Sequence, residues 1–129
     1  MKKIFSLVIL LMLSLGLLSS TAEAATLASV TAVRDGQFHS TTFTGNGKYM
    51  RIKCVHNQAP TPSLYLAAEC KLTTTKITGE PPLVDWSISD PNYKATDVFL
   101  SKGVQYRLET YVVPYSPAGT TVTATIFDK

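Results

Sequence analysis

The chain has 129 residues, 12 Lys and Arg against nine Asp and Glu, and a net charge of +3. That length is room for a single domain, and 45% hydrophobic residues are enough to give it a core rather than leave it disordered. The basic residues are scattered among acids, and without a concentrated positive patch nucleic acid is not an expected partner.

Residues 1–24 read as a cleaved secretory signal peptide. Lys2 and Lys3 supply the charged start, Ile4 to Leu18 the apolar run, and Ala22-Glu23-Ala24 the small residues that signal peptidase requires. The run is broken by Ser6, Ser14 and Gly16 and is shorter than the roughly 18 residues of a spanning helix, so stable membrane insertion is not expected. The leader resembles those of bacterial secreted proteins. The expected location is therefore extracellular, or periplasmic in a Gram-negative source. Cutting after Ala24 leaves residues 25–129 as one domain and lowers the net charge to +2, since Lys2, Lys3 and Glu23 are lost.

From residue 25 onward, apolar and polar residues alternate with a period of two, and nothing long recurs at the helical period. Candidate strands fall at 27–33, 37–43, 48–56, 63–73, 83–89, 95–100, 104–113 and 120–127. Turn sequences such as Arg34-Asp35-Gly36, Gly45-Asn46-Gly47, Asp90-Pro91-Asn92 and Lys102-Gly103 separate them. Met50, Ile52 and Cys54 share a face, as do Leu64, Leu66, Ala68, Cys70 and Leu72. Val84, Trp86 and Ile88 form a third such set, Val104, Tyr106, Leu108 and Val112 a fourth, and Val122, Ala124 and Ile126 a fifth. One apolar and one wet face per strand is the signature of two antiparallel sheets packed together.

Cys54 and Cys70 both lie on apolar faces. In an exported chain they are expected to form one disulfide, worth about 3 kcal/mol for a loop of this length. Two arrangements fit equally: a hairpin around Pro62, which would set Lys53 opposite Lys71, or a bridge between the two sheets.

Leu100 to Tyr106 contains an apolar residue, the Gly103 turn, and then Tyr106 at a strand start. The segment resembles the tyrosine corner of Greek-key sandwiches, in which the hydroxyl returns to the backbone just upstream. Position 108 is Leu, where antibody domains have Cys. Trp86 is a candidate inter-sheet tryptophan. The expected fold is an immunoglobulin-like antiparallel β-sandwich of about seven strands, with a jelly-roll sandwich as the alternative.

The sequence holds no nucleophile elbow, zinc-protease helix, phosphate loop or dinucleotide fingerprint. His39 and His56 are the only histidines, and with both cysteines paired there is no nucleophile beside a base. No catalytic residue, cofactor or metal is expected. Asp85, Asp90, Asn92 and Asp97 surround one turn and are the only calcium candidates, but they lack the ligand spacing of a calcium loop.

Two surfaces are candidates for binding. Tyr65 and Tyr111 both oppose the core face of their strands. In an immunoglobulin-like sheet those strands are neighbours, which would group them with Glu69, Lys71, Arg107 and Glu109, with Tyr115 just beyond. Flat aromatics beside charged groups suit sugar stacking or a protein hot spot. The second surface is Asn57 to Pro62, stiffened by Pro60 and Pro62. The expected function is a secreted, non-enzymatic domain that binds an extracellular protein or a cell-surface polysaccharide, as a monomer or with weak self-association. The alternatives are a secreted effector (an antibacterial toxin or enzyme inhibitor) acting through the proline segment, or a matrix protein associating through an exposed 120–127 edge.

Overall fold

A computed structural model of the chain describes residues 25–57, 68–76, 80–88 and 93–129. The expected leader, 1–24, and Pro60, Pro62, Tyr65, Asp90 and Asn92 lie outside the described residues. The described residues form eight strands: β1 (Thr26–Val33), β2 (His39–Thr44), β3 (Lys48–Asn57), β4 (Ala68–Thr74), β5 (Val84–Ile88), β6 (Tyr93–Leu100), β7 (Gln105–Val112) and β8 (Thr121–Phe127). Their ends lie within two residues of the runs marked by alternation, except that 63–73 is described only from Ala68. Among the described residues no helix is long and apolar enough to cross a membrane.

The strands form two sheets, β1-β8-β3-β6 and β2-β7-β4-β5, and every pairing is antiparallel. The pairs β1·β8, β2·β7, β3·β6 and β4·β5 are the rungs of one long hairpin whose tip lies between β4 and β5. Rolling that hairpin sends alternate rungs to alternate sheets and brings β8 beside β3 and β7 beside β4. This is the eight-stranded jelly roll, the second of the two topologies open from the sequence. In the immunoglobulin order the first two strands pair, whereas here β1 and β2 belong to different sheets. The all-β sandwich and the adjacency of β4 and β7 are common to both.

The alternating sets meet as one core. Met50, Ile52, Cys54, Cys70, Leu72, Leu108, Val122, Ala124 and Ile126 are all buried, and Trp86 and Val104 pack against them partly exposed. Cys54 and Cys70 are joined, with Cα atoms 6.5 Å apart. Because β3 and β4 lie in different sheets, the disulfide crosses the sandwich, and the hairpin arrangement is not formed. Lys53 and Lys71 accordingly leave opposite faces: the Lys53 ammonium sits 4.6 Å from the Tyr93 ring centroid, and Lys71 lies 4.0 Å from the Asp85 carboxylate.

The tyrosine corner forms as the sequence implied. Ser101 N–H donates to the Tyr106 hydroxyl oxygen at 2.8 Å. The loop before β3 wraps this corner: Gly45 N–H donates to Val104 O at 2.8 Å, and Gly103 N–H donates to Gly45 O at 3.1 Å. A Cβ at position 45 would stand 2.2 Å from Ser101 O and 2.8 Å from the Tyr106 ring, so only glycine fits. Gly103 has φ of +79°, a backbone region closed to most side chains.

One expectation is overturned. The strand at 120–127 is not an edge, because β8 lies between β1 and β3. The strand is last in sequence but interior in space, and among the described residues the open edges are those of β1, β6, β2 and β5.

Candidate functional site

Strand direction alternates through the jelly roll, so the connections that leave β1, β3, β5 and β7 all start at one end of the sandwich. The described parts of this end are tied down by polar contacts. Arg34 Nη1 donates to Ser116 O at 2.9 Å, joining the β1–β2 and β7–β8 connections. Asp35 accepts from Gln37 N–H at 2.9 Å and meets His39 Nε2 at 2.8 Å. The Gln37 N–H, followed by His39, holds the Asp35 carboxyl below its ordinary pKa of 3.8. Thr120 closes the β7–β8 turn through its hydroxyl, which donates to Pro117 O at 2.7 Å.

At this end the rings of Phe38 and Tyr111 stack, centroids 4.4 Å apart and planes 20° from parallel. Phe38 is 59% exposed. Strand register explains the contact. His39 is opposite Thr110, so Phe38, one step before β2, falls opposite Tyr111, and Tyr111 is in turn opposite Glu69. The outer face of the β2-β7-β4-β5 sheet is thus ruled into cross-strand rows. One runs Ser87, Glu69, Tyr111 and Phe38; the next runs Asp85, Lys71, Glu109 and Ser40; a third holds Thr73, Arg107 and Thr42. Phe38, Glu69, Lys71, Glu109, Thr110 and Tyr111 line a shallow depression that opens to solvent and encloses only about 10 Å³. Sites that enclose a small molecule run to roughly 300–1,000 Å³, so this depression is a feature of the face rather than an enclosing pocket.

The sequence expectations distribute over this geometry as follows. Tyr111 sits at the centre of the depression. Arg107 shares its face and strand but stands four residues, or about 13 Å, toward the far end, beyond Glu109. Tyr115 projects from the β7–β8 connection at the same end, 84% exposed. Asn57 is exposed at the tip of β3, opposite Thr121, also at this end. Of the two candidate surfaces, the described members Asn57, Tyr111 and Tyr115 lie at one pole of the domain, and Pro60, Pro62 and Tyr65 fall outside the described residues. Phe38 was missed. The signal was its parity: between Gln37 and Phe43 it is the one apolar residue on the side opposite Phe43.

His39 is bonded to Asp35, whereas His56 faces into the sandwich and is 2% exposed. Of the calcium candidates only Asp85 and Asp97 are among the described residues, and these two do not converge. Asp85 faces outward from one sheet beside Lys71, and Asp97 faces outward from the other, paired with Arg51 at 3.1 Å and with Lys129. Arginine and lysine are not the neighbours of a cation site. Among the described residues no three His, Cys, Asp or Glu side chains come together as metal ligands.

No protein-family model matches the chain, and no curated protein is significantly similar to it.

Proposed function

We propose that the chain is an exported bacterial binding domain, without catalytic chemistry of its own, that holds an extracellular polysaccharide across its Phe38–Tyr111 pole. The carrying observation is the exposed aromatic pair at 4.4 Å, set in a row with Glu69 and beside the Lys71–Glu109 row. A pyranose ring has an apolar C–H face and an equatorial rim of hydroxyls. Phe38 offers the first a flat partner, and the carboxylates and ammonium offer the second both acceptors and a donor. The shallowness of the depression suits one or two units of a longer chain. Export is supported by the Lys2 to Ala24 leader pattern and by a buried disulfide, a bond typical of oxidising compartments.

The test is co-sedimentation of the purified protein with insoluble cell-wall polysaccharides, repeated with Phe38→Ala, Tyr111→Ala and the double variant. The double variant should remain folded and lose binding by about tenfold or more, as stacking contacts of this size imply. Undiminished binding by a folded double variant would remove the aromatic pair from the site.

A second reading is favoured by Tyr115, the most exposed large hydrophobic side chain described, which projects from the same pole as Asn57. Exposed aromatics of this kind anchor protein partners, as in an inhibitor or toxin acting through the Asn57–Pro62 segment. In that case Tyr115→Ala and the Pro60→Ala, Pro62→Ala pair abolish capture of the target, and polysaccharide does not compete.

A further inference from the structure

The two margins of the sandwich differ in chemistry. One margin is formed by β5 and β6, which carry Asp85, Lys94 and Asp97, and the Lys94 ammonium reaches the Ser87 carbonyl oxygen at 3.4 Å. Charged side chains of this kind are how edge strands discourage a further strand. The other margin is formed by β1 and β2, Thr26–Val33 and His39–Thr44, and neither strand contains Lys, Arg, Asp, Glu or Pro. One edge of β1 pairs with β8; the other meets no strand among the described residues.

The core is also incompletely closed at this margin. Among the described residues, six apolar side chains pack on the core yet stay partly exposed, and four of them are here: Leu27, Ala28, Val30 and Phe43. On the outer side, Ser29 and Thr31 already take part in hydroxyl contacts, Ser29 Oγ to Thr125 Oγ1 at 3.3 Å and Thr31 Oγ1 to Thr123 Oγ1 at 2.8 Å.

The sequence of β1 is complementary to itself. Laid antiparallel on a second copy with a two-fold axis at Val30, Ala28 falls opposite Ala32, Ser29 opposite Thr31, and Val30 opposite itself. Residues directly opposite in an antiparallel pair share a face. Small apolar side chains therefore meet on the core side and hydroxyls on the outer side, with no charge to separate the strands.

We propose that β1 is a homodimerisation edge, through which two copies of the chain pair antiparallel about Val30 to make one continuous sheet. The arrangement is isologous and closed, so it stops at two copies. It completes the burial of Ala28 and Val30, and it joins the two hydroxyl contacts into a row of Thr125, Ser29, Thr31 and Thr123 across the axis. An extended peptide of another protein is the competing occupant, but only a second copy matches the mirror about Val30. Because the paired strands run in opposite directions, the two Phe38–Tyr111 poles point to opposite ends of the dimer. The pairing does not depend on what those poles bind.

Sedimentation equilibrium of the purified protein from micromolar to millimolar concentration tests the pairing. A monomer–dimer equilibrium is expected, and a monomer throughout overturns the proposal, whatever peptide the edge accepts. The double variant Ser29→Lys, Thr31→Lys places four ammonium groups in two adjacent exposed rows, a facing pair in each, and should weaken dimerisation about tenfold or more. The variant Ser29→Glu, Thr31→Glu should do the same alone, and mixing the two should restore a heterodimer. Dimerisation indifferent to both variants, or no recovery on mixing, overturns the proposal. Nitroxide labels give an independent measure that needs no charged variant. The intermolecular distance from Thr31→Cys should be shorter than that from Thr123→Cys by about 8 Å, since the second pair lies two strand spacings farther apart, and equal distances would rule out a β1 contact.

Discussion

Trp86 stands directly across the β4–β5 pair from Cys70, on the same inward face. In sequence the tryptophan has no cysteine near it, yet the jelly roll sets the indole beside the covalent link between the sheets. The pairing gives the disulfide a spectroscopic reporter, since Trp86 is the only tryptophan in the chain and disulfides quench nearby indole emission.

Reduction of the folded protein should therefore raise Trp86 fluorescence before the chain unfolds. The Cys54→Ser, Cys70→Ser variant should lose about 3 kcal/mol of stability, the chain-entropy value for a loop of this length, read from urea melts. A loss below about 1 kcal/mol would mean that the unfolded chain is already restrained without the bond.

The tyrosine corner predicts an ordered pair of effects. Tyr106→Phe removes the acceptor of the Ser101 N–H and should cost about 1–3 kcal/mol, the penalty of a part-buried donor left unpaired. Gly45→Ala forces a carbon against Ser101 O and should cost about as much or more. If Tyr106→Phe is neutral by thermal melting, the hydrogen bond at 2.8 Å contributes nothing to closing this end.

Alternation along β7 gives a contrast between adjacent residues. Leu108 is buried and Arg107 exposed. Leu108→Ala should cost about 2–5 kcal/mol, and Arg107→Ala less than about 0.5 kcal/mol. Comparable losses at the two positions would contradict the inward and outward assignment on this strand.

Acid should weaken the fold through two exposed carboxylates. Asp97 is held below its ordinary 3.8 by Lys129 first and Arg51 second, and Asp35 by Gln37 N–H and then His39. A depressed carboxyl stabilises the fold above its unfolded value, and that contribution is lost as pH falls through the folded value. Melting temperature should thus be flat above about pH 5 and fall as pH drops through and below 3.8. Asp97→Asn should be less stable than the parent at neutral pH, and the difference should vanish in strong acid. Because both groups are exposed, added salt should shrink the difference.

What could be read from residues alone was the face each strand presents. Met50, Ile52 and Cys54 in β3, or Val122, Ala124 and Ile126 in β8, alternate strictly with polar neighbours because one side of each strand meets a core. The local signal at Gly103 and Tyr106 was equally direct, since a tight turn and a returning hydroxyl involve only contiguous residues. Pairing was not legible. Period two says which way Thr123 points, not that Thr31 lies beside it, and chain position misplaced β8 at a margin. The candidate site shows the same division. Tyr111 and Arg107 were placed on the correct face by parity, whereas the Phe38 contact depends on the β2·β7 register, a relation between distant segments.

The rolled hairpin has a consequence for the order of events during synthesis. β8 lies between β1 and β3, so the first sheet has a gap through its middle until residue 127 leaves the ribosome. A nascent chain of this kind gains little from partial closure, because its rewarding contacts join the two ends of the polypeptide. The sheet can close only after β8 has been made, so its central pairings form late in the order of synthesis.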